Sequence, residues 1–275
     1  MENKIKIGVI GLGNMGTAIL RGLVKKLNRA NLFGYDKDRE KNKIIKKNLK
    51  INICESVGDL VKKSKVTFLC VKPQDLKEVL KELEKTLSSI KEKKIFISIA
   101  AGIPLKFLEK YLKNNPVIRV MPNLGAKVFE SLNAYSCGKF TKEDDEKIGV
   151  RLLNSFGVSI KVKESFLDKI TALSGSGLAY FFYFFEALEE SAKKLGFSES
   201  DSKFLVYQTM KASLKLLESE NLDAQSLRKK VTSKKGTTER AIKIFKENKF
   251  KEIVYKAVKQ AQKRAKELSK EVLNA

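Results

Sequence analysis

Ile5-Lys6-Ile7-Gly8-Val9-Ile10-Gly11-Leu12-Gly13-Asn14-Met15-Gly16 is the stretch that decides the fold. Its first half is an apolar β-type run. Its second half is a G-x-G-x-x-G turn that opens an amphipathic helical pattern, Met15 to Lys26. In that context each glycine has a task. Gly11 permits the tight turn, Gly13 removes a side chain where a pyrophosphate approaches, and Gly16 lets the helix pack on the strand. The helix start then offers free N–H groups and a positive dipole end to phosphates. Gly11, Gly13, Asn14, Met15 and Gly16 are therefore candidate cofactor-binding residues. The bland alternative, a glycine-rich turn with no ligand, is disfavoured by the strand before it and the helix after it.

A second cofactor signal lies twenty positions after Gly16, where Asp36 ends the next strand pattern. An acidic residue there accepts hydrogen bonds from a ribose 2′-hydroxyl, which suits NADH. Lys37 and Arg39 follow and suit a 2′-phosphate, so NADPH and NADH both stay open. So does a structural role for Asp36 as a helix cap.

Outward from the turn, β-rich runs alternate with helical ones. The strand candidates are Ile5 to Ile10, Leu32 to Tyr35, Ile51 to Cys54, Val66 to Val71, Ile95 to Ala100 and Val117 to Val120. Gln74 to Leu87 and Pro104 to Tyr111 read as helices between them, with Pro104 in a first helical turn. Continuous Val/Ile/Leu strands alternating with helices predict an α/β fold whose mostly parallel sheet is covered on both faces. Asn133 to Cys137 and Val158 to Val162 are expected to extend it at one edge. Thr141 is the expected cap of a helix between those two.

Beyond about Ser165 only helical patterns remain, which divides the chain into 1–163, dinucleotide-binding, and 164–275, all-helical. Tyr180 to Phe185 is a run of six aromatics inside a helix expected from Leu178 to Leu195. A helix apolar nearly all round must be buried on every side. A small helical domain cannot sheathe it alone, so a partner subunit is expected to cover it. Ser198 is the expected cap of the next helix, and others are expected from Asp223, Thr238 and Phe250.

Composition narrows the function. The chain has 275 residues, 43% of them hydrophobic, and no apolar run approaching a membrane span. Met1 to Lys4 leads into the first strand pattern with no apolar signal core, so a cytoplasmic protein is expected. The formal net charge is +24. The lysines are spread along the chain and interleaved with acids, as in Lys77-Glu78, and no aromatic–basic repeat or zinc-finger spacing accompanies them, so no nucleic-acid partner is expected. Cys54, Cys70 and Cys137 match no metal site, and none is expected. Histidine is absent, so proton transfer must use a hydroxyl, a lysine, a carboxylate or water.

Several segments in order resemble the pyrroline-5-carboxylate reductase family, and together they cover the chain. They are Ile10 to Gly16, Val71-Lys72-Pro73, Ser98 to Ile103, Arg119-Val120-Met121-Pro122-Asn123, Thr171 to Gly177 and Val231 to Thr238. The resemblance implies a Rossmann-type domain followed by an all-α dimerisation domain. It implies a homodimer, with a higher homo-oligomer of dimers left open. The implied reaction is NADPH- or NADH-dependent reduction of 1-pyrroline-5-carboxylate to L-proline, the last step of proline biosynthesis. It also implies that Ser233, Gly236, Thr237 and Thr238 hold the substrate carboxylate and that the Thr238 hydroxyl contacts the imine nitrogen. An ordinary Thr helix cap is the alternative for this loop. Lys72, Pro73, Ala100, Ala101, Gly102 and Asn123 stand at strand ends where such folds bind ligands, and Ser176 is a candidate for the substrate pocket. Each has a quieter reading as a turn, a helix start or a cap.

This chain has Lys234-Lys235 where the family usually has Pro-Gly, Leu178 where it has Pro, and Leu124-Gly125 where it has Thr-Pro. Lys235 matters most, because a glycine position can demand φ > 0. Either the loop is shaped differently, or an ammonium assists the carboxylate, or activity is weakened or redirected to another cyclic imine. A β-hydroxyacid dehydrogenase shares the opening glycine turn. It needs a catalytic lysine in the helix that opens the second domain, where this chain has aromatics and places Lys193 and Lys194 only at the far end. A related imine reductase and a non-catalytic cofactor-binding homologue are the remaining alternatives.

Overall fold

The computed structural model describes residues 5–274, with side chains to Glu271; Met1 to Lys4 and Ala275 lie outside the described residues. The chain forms two compact units. The first runs to Ser176 and includes the C-terminal stretch from Ala261; the second is Gly177–Gln260.

In the first unit β1 (Ile7–Ile10), β2 (Leu32–Tyr35), β3 (Asn52–Ile53), β4 (Val66–Leu69), β5 (Ile95–Ser98), β6 (Val117–Met121), β7 (Ser131–Cys137) and β8 (Gly157–Lys161) form one sheet. Its order is β3-β2-β1-β4-β5-β6-β7-β8. The pairs from β3 to β6 are parallel, β6 and β7 are antiparallel, and β7 and β8 are parallel. The reversal has a simple cause. A parallel return needs a crossover of a dozen or more residues, and the short link from Pro122 to Glu130 cannot supply it.

The connecting helices are α1 (Asn14–Lys26), α2 (Arg39–Leu49), α3 (Val57–Lys63), α4 (Pro73–Leu87), α5 (Leu105–Leu112) and α6 (Glu143–Leu153). Successive strand residues point to opposite faces, so each strand feeds two cores. Val9, Phe68, Ile97 and Ile118 join Ile19, Leu20, Leu23 and Leu153 on one side. Ile10, Leu69, Phe96 and Val117 join Leu60, Leu76, Leu80 and Leu108 on the other. Burial on both faces is why these strands read as continuous apolar runs.

Two expected helix starts are corrected. Thr141 does not cap α6: its hydroxyl donates to the Val117 carbonyl (2.9 Å) and accepts from the Val117 N–H (3.1 Å), closing off β6 instead. The α6 start is held by Asp145, which accepts the Lys142 N–H (3.1 Å). Pro104 precedes α5 as its N-cap residue, with extended backbone, rather than lying within the first turn. The strand patterns ran one or two residues too long at several ends, where the chain leaves the ladder while still apolar. β3 shrinks to a two-residue edge.

The stretch of the first unit that reaches Ser176 closes with α7 (Leu167–Ile170) and a π-helical turn, Thr171–Gly175. The second unit begins with α8 (Gly177–Lys194), the aromatic helix, followed by α9 (Glu199–Ser219), α10 (Ala224–Lys230), α11 (Thr237–Glu247) and the start of α12 (Phe250–Asn274). Ser198 caps α9 as expected, accepting the Asp201 N–H (3.1 Å), and Asp223 caps α10, accepting the Ser226 N–H (2.7 Å). No helix among the described residues is long and apolar enough to cross a membrane.

Candidate functional site

The glycine turn is built as its sequence demands. Gly11 sits at φ 94°, and its N–H donates to the Tyr35 carbonyl (2.8 Å) at the end of β2. A Cβ on Gly16 would lie 1.9 Å from the Gly11 carbonyl oxygen, so only glycine lets α1 approach the turn this closely. A Cβ on Gly13 would meet nothing within 4 Å, so that backbone faces open space. Gly13 is the N-cap of α1 and brings no capping side chain, which leaves the first-turn amides of Asn14, Met15 and Gly16 to a ligand.

The turn opens into a cleft of about 390 Å³ at the carboxyl ends of β1, β2 and β4, where the strand order reverses. Parallel sheets bind dinucleotides at that position. Gly11, Gly13, Asp36, Lys37 and Lys72 all line it. Pro73 is the first residue of α4, directly behind Lys72. Ala100, Ala101 and Gly102 follow β5, with Gly102 at φ 78°, and Asn123 lies just past the end of β6.

Asp36 is tied to the turn. Its Oδ2 accepts the Leu12 N–H (2.7 Å) and its Oδ1 the Asp38 N–H (2.9 Å). The cap of α2 is Asp38, which accepts the Glu40 N–H (3.0 Å). Asp36 therefore braces the glycine loop from the cleft wall and leaves helix capping to its neighbour. Lys37 reaches Asp75 (2.7 Å) on α4, and that hydrogen bond raises the lysine pKa. Asp75 was not anticipated, nor were Gln74, Glu78 and Glu82, which also line the cleft. The last three recur every four residues along α4, a one-face spacing that would have identified them.

Asn123 holds its own turn, the quieter of its two readings. Its Oδ1 accepts the Gly125 N–H (3.0 Å), and its Nδ2 donates to the Ser174 hydroxyl (2.9 Å) in the π-helical turn. Ser176 closes that turn, its N–H donating to the Thr171 carbonyl (2.8 Å). The cysteines do not supply a reactive thiolate: burial pushes Cys54 and Cys137 up to about 11, and Cys70 further still. Among the described residues no cluster of acids and cysteines is arranged to hold a metal.

Ser233, Gly236, Thr237 and Thr238 form a second cluster, in the helical unit. Gly236 is the N-cap of α11, and no side chain caps that helix. The Gly236 N–H donates to the Ser233 carbonyl (3.1 Å) and curls the loop, while the first-turn amides of α11 have no capping side chain. Lys235 adopts φ 63°, and its N–H donates to Glu239 Oε2 (2.7 Å). The lysine has therefore taken on the left-handed backbone that glycine would adopt.

Residues 164–268 match the family model described as pyrroline-5-carboxylate reductase dimerisation. Residues 6–102 match the one described as NADP oxidoreductase coenzyme F420-dependent. The pyrroline-5-carboxylate reductase of Methanosarcina acetivorans is 34% identical over 98% of this chain and 100% of its own. That of Pseudomonas aeruginosa is 34% identical over 97% and 98%. Among solved structures, the Coxiella burnetii enzyme superposes with a TM-score of 0.91 at 31% identity, over 97% of this chain and 99% of that one. The Plasmodium falciparum enzyme, solved with NADP bound, gives 0.85 at 32%, over 97% and 99%. These matches run over nearly the whole chain, and the chain belongs to the pyrroline-5-carboxylate reductase family.

Proposed function

We propose that this protein reduces 1-pyrroline-5-carboxylate to L-proline with NADPH or NADH, as a homodimer in the cytoplasm, with residues 1–163 binding the dinucleotide and 164–275 serving substrate binding and dimerisation. Gly11, Gly13, Asn14, Met15 and Gly16 would cradle the pyrophosphate, and Asp36 and Lys37 would meet the adenosine ribose. Lys72, Pro73, Ala100, Ala101, Gly102 and Asn123 would lie along the rest of the cofactor. The open space over Gly13 and the uncapped start of α1 fit a bound dinucleotide. Bound NAD(P)H would supply the hydride to the carbon of the protonated imine, whose nitrogen already carries the proton of the product amine.

The chain's own residues then need only to orient the imine and exclude water. Ser233, Gly236, Thr237 and Thr238 would hold the substrate carboxylate at the start of α11, with Ser176 beside the ring. The Thr238 hydroxyl would hydrogen-bond the imine nitrogen, a task that requires no histidine. The observation that carries this reading is Lys235 at φ 63°: the residue that put the loop in doubt adopts the left-handed backbone open to glycine, and the start of α11 keeps no capping side chain.

The test is direct. Purified protein is expected to oxidise NADH or NADPH when 1-pyrroline-5-carboxylate is added. Thr238→Ala is expected to lower kcat/KM by about 100-fold, the scale of losing one positioned donor. Cofactor binding with no turnover of this imine would refute the reading.

Lys235→Gly separates backbone from charge. Left-handed backbone costs a non-glycine residue about 1–2 kcal/mol, and glycine loses about 0.5–1 kcal/mol in extra chain entropy. The two nearly cancel, so Tm is expected to stay within a few degrees. KM is expected to rise about two- to fivefold over wild type at low salt, and the difference to vanish in high salt as wild-type KM climbs, because an exposed ammonium acts through screened attraction. An unchanged KM would assign Lys235 no part in holding the anion.

A further inference from the structure

The motif residue Arg119 has no role in the chemistry above, and its surroundings are unusual. It lies on β6 with its side chain only 9% exposed. Its guanidinium donates to Glu164 Oε1 (2.9 Å) and to Asp168 Oδ1 (3.5 Å). The same Glu164 oxygen accepts the Leu105 N–H (2.7 Å) at the start of α5, just after the Ala100–Ile103 segment. One buried arginine thus joins β6, the entry to α5 and the segment that leads into the π-helical turn.

That turn begins three residues after Asp168 and follows β6 toward its carboxyl end. Gly175 packs there on Met121, whose Cε would lie 3.0 Å from an added Cβ. Asn123 meets Ser174 at 2.9 Å. Asp36 and Lys37 mark the adenosine end of the cleft, so the other half of a dinucleotide crossing the sheet at its switch point lies toward β5 and β6. π-helical turns are rare and recur at functional sites. This one is kept in place from β6.

We propose that Arg119 is a positioning residue: by gripping Glu164 and Asp168 it sets the register of Thr171–Gly175, so that Ser174 meets Asn123 where the imine and the nicotinamide must align. A planar guanidinium reaches two carboxylates at once, and a lysine reaches one as a point charge. Arg119→Lys therefore keeps a cation in the site and releases one of its two grips. The proposal rests on the reductase reading, and its test distinguishes the two.

Arg119→Lys, Ser174→Ala and the double variant are assayed for kcat, KM and cofactor Kd, with dimer mass by light scattering. Each single variant is expected to lower kcat by about 10- to 100-fold, the scale of a displacement near 1 Å at a reacting centre. Cofactor Kd and dimer mass are expected to stay unchanged. The double variant is expected to be no worse than the weaker single, since both act through one contact. Effects that multiply would overturn the proposal, as would a loss of Tm or dimer mass with kcat intact. A wild-type protein with no turnover refutes the reductase reading alone. Hydrogen exchange at the Ser176 amide, which the π turn protects, then decides: faster exchange in Arg119→Lys supports the grip, and unchanged exchange overturns it.

Discussion

Gly16→Ala is expected to abolish useful cofactor binding, raising Kd for NADH and NADPH by at least about 100-fold. The added Cβ would fall 1.9 Å from the Gly11 oxygen and 3.1 Å from its carbonyl carbon. Both are backbone atoms, so no rotamer relieves the clash. Gly11 cannot retreat either. Its N–H is bonded to Tyr35, and its Cα faces the Cys70 backbone so closely that a Cβ there would lie 2.7 Å from the Cys70 carbonyl carbon. The helix must therefore move off the strand, at an overpacking cost of about 1–3 kcal/mol. A domain stable by about 5–15 kcal/mol survives this with a lower Tm. The amides of α1 do not keep their aim, and a 100-fold loss is only about 2.7 kcal/mol of binding. Titration calorimetry of both cofactors reads the effect. Gly13→Ala is the control: its Cβ meets nothing in the chain, so Tm should hold while affinity falls through crowding of the ligand alone. Wild-type affinity in Gly16→Ala would mean that the pyrophosphate does not sit on this turn.

The glycine turn was legible because its constraints are local. A strand, three glycines and a helix start lie within a dozen residues; Gly11 and Gly16 answer steric demands of their neighbours, and Gly13 leaves its side open. The parallel sheet was legible for a related reason, since strands buried on both faces must be apolar throughout. What sequence reading missed depends on partners distant in the chain. Thr141 has the composition of a cap, and Val117, across the sheet edge, claims its hydroxyl. Asp36 also accepts the Leu12 N–H and so braces the glycine turn, a bond that no local pattern announces. Arg119 is an arginine within a strand, and nothing near it in sequence announces Glu164 or Asp168. Lys235 is the inverse case. The residue type pointed to a changed loop, and the backbone kept the conformation, because about 1–2 kcal/mol of left-handed strain is small enough for the Glu239 hydrogen bond and its surroundings to sustain.

Phe182→Asp is expected to turn the protein into a monomer at micromolar concentration. The six-aromatic run lies on α8, and in the single chain Phe181, Phe182 and Tyr183 are 61%, 60% and 74% exposed. On α9 of the same unit Phe204, Tyr207 and Leu214 are exposed as well. Lone exposed apolar side chains are ordinary, whereas adjoining aromatics on neighbouring helices form the kind of patch that a partner covers. The helices fall within the stretch that matches the family's dimerisation domain. A large aromatic side chain carries about 150–250 Å², so covering the exposed part of Phe182 contributes about 3 kcal/mol at 25 cal/mol per Å². Aspartate forfeits that and adds the cost of burying an unpaired charge, several kcal/mol more. In a two-fold dimer both copies carry the change, so the penalties double and Kd rises by at least about 10⁴-fold. The substitution touches an exposed face of the single chain, so helicity by circular dichroism should be unchanged while light scattering reports half the mass. A dimer of wild-type mass in Phe182→Asp would place the interface elsewhere and leave the aromatic face without a partner.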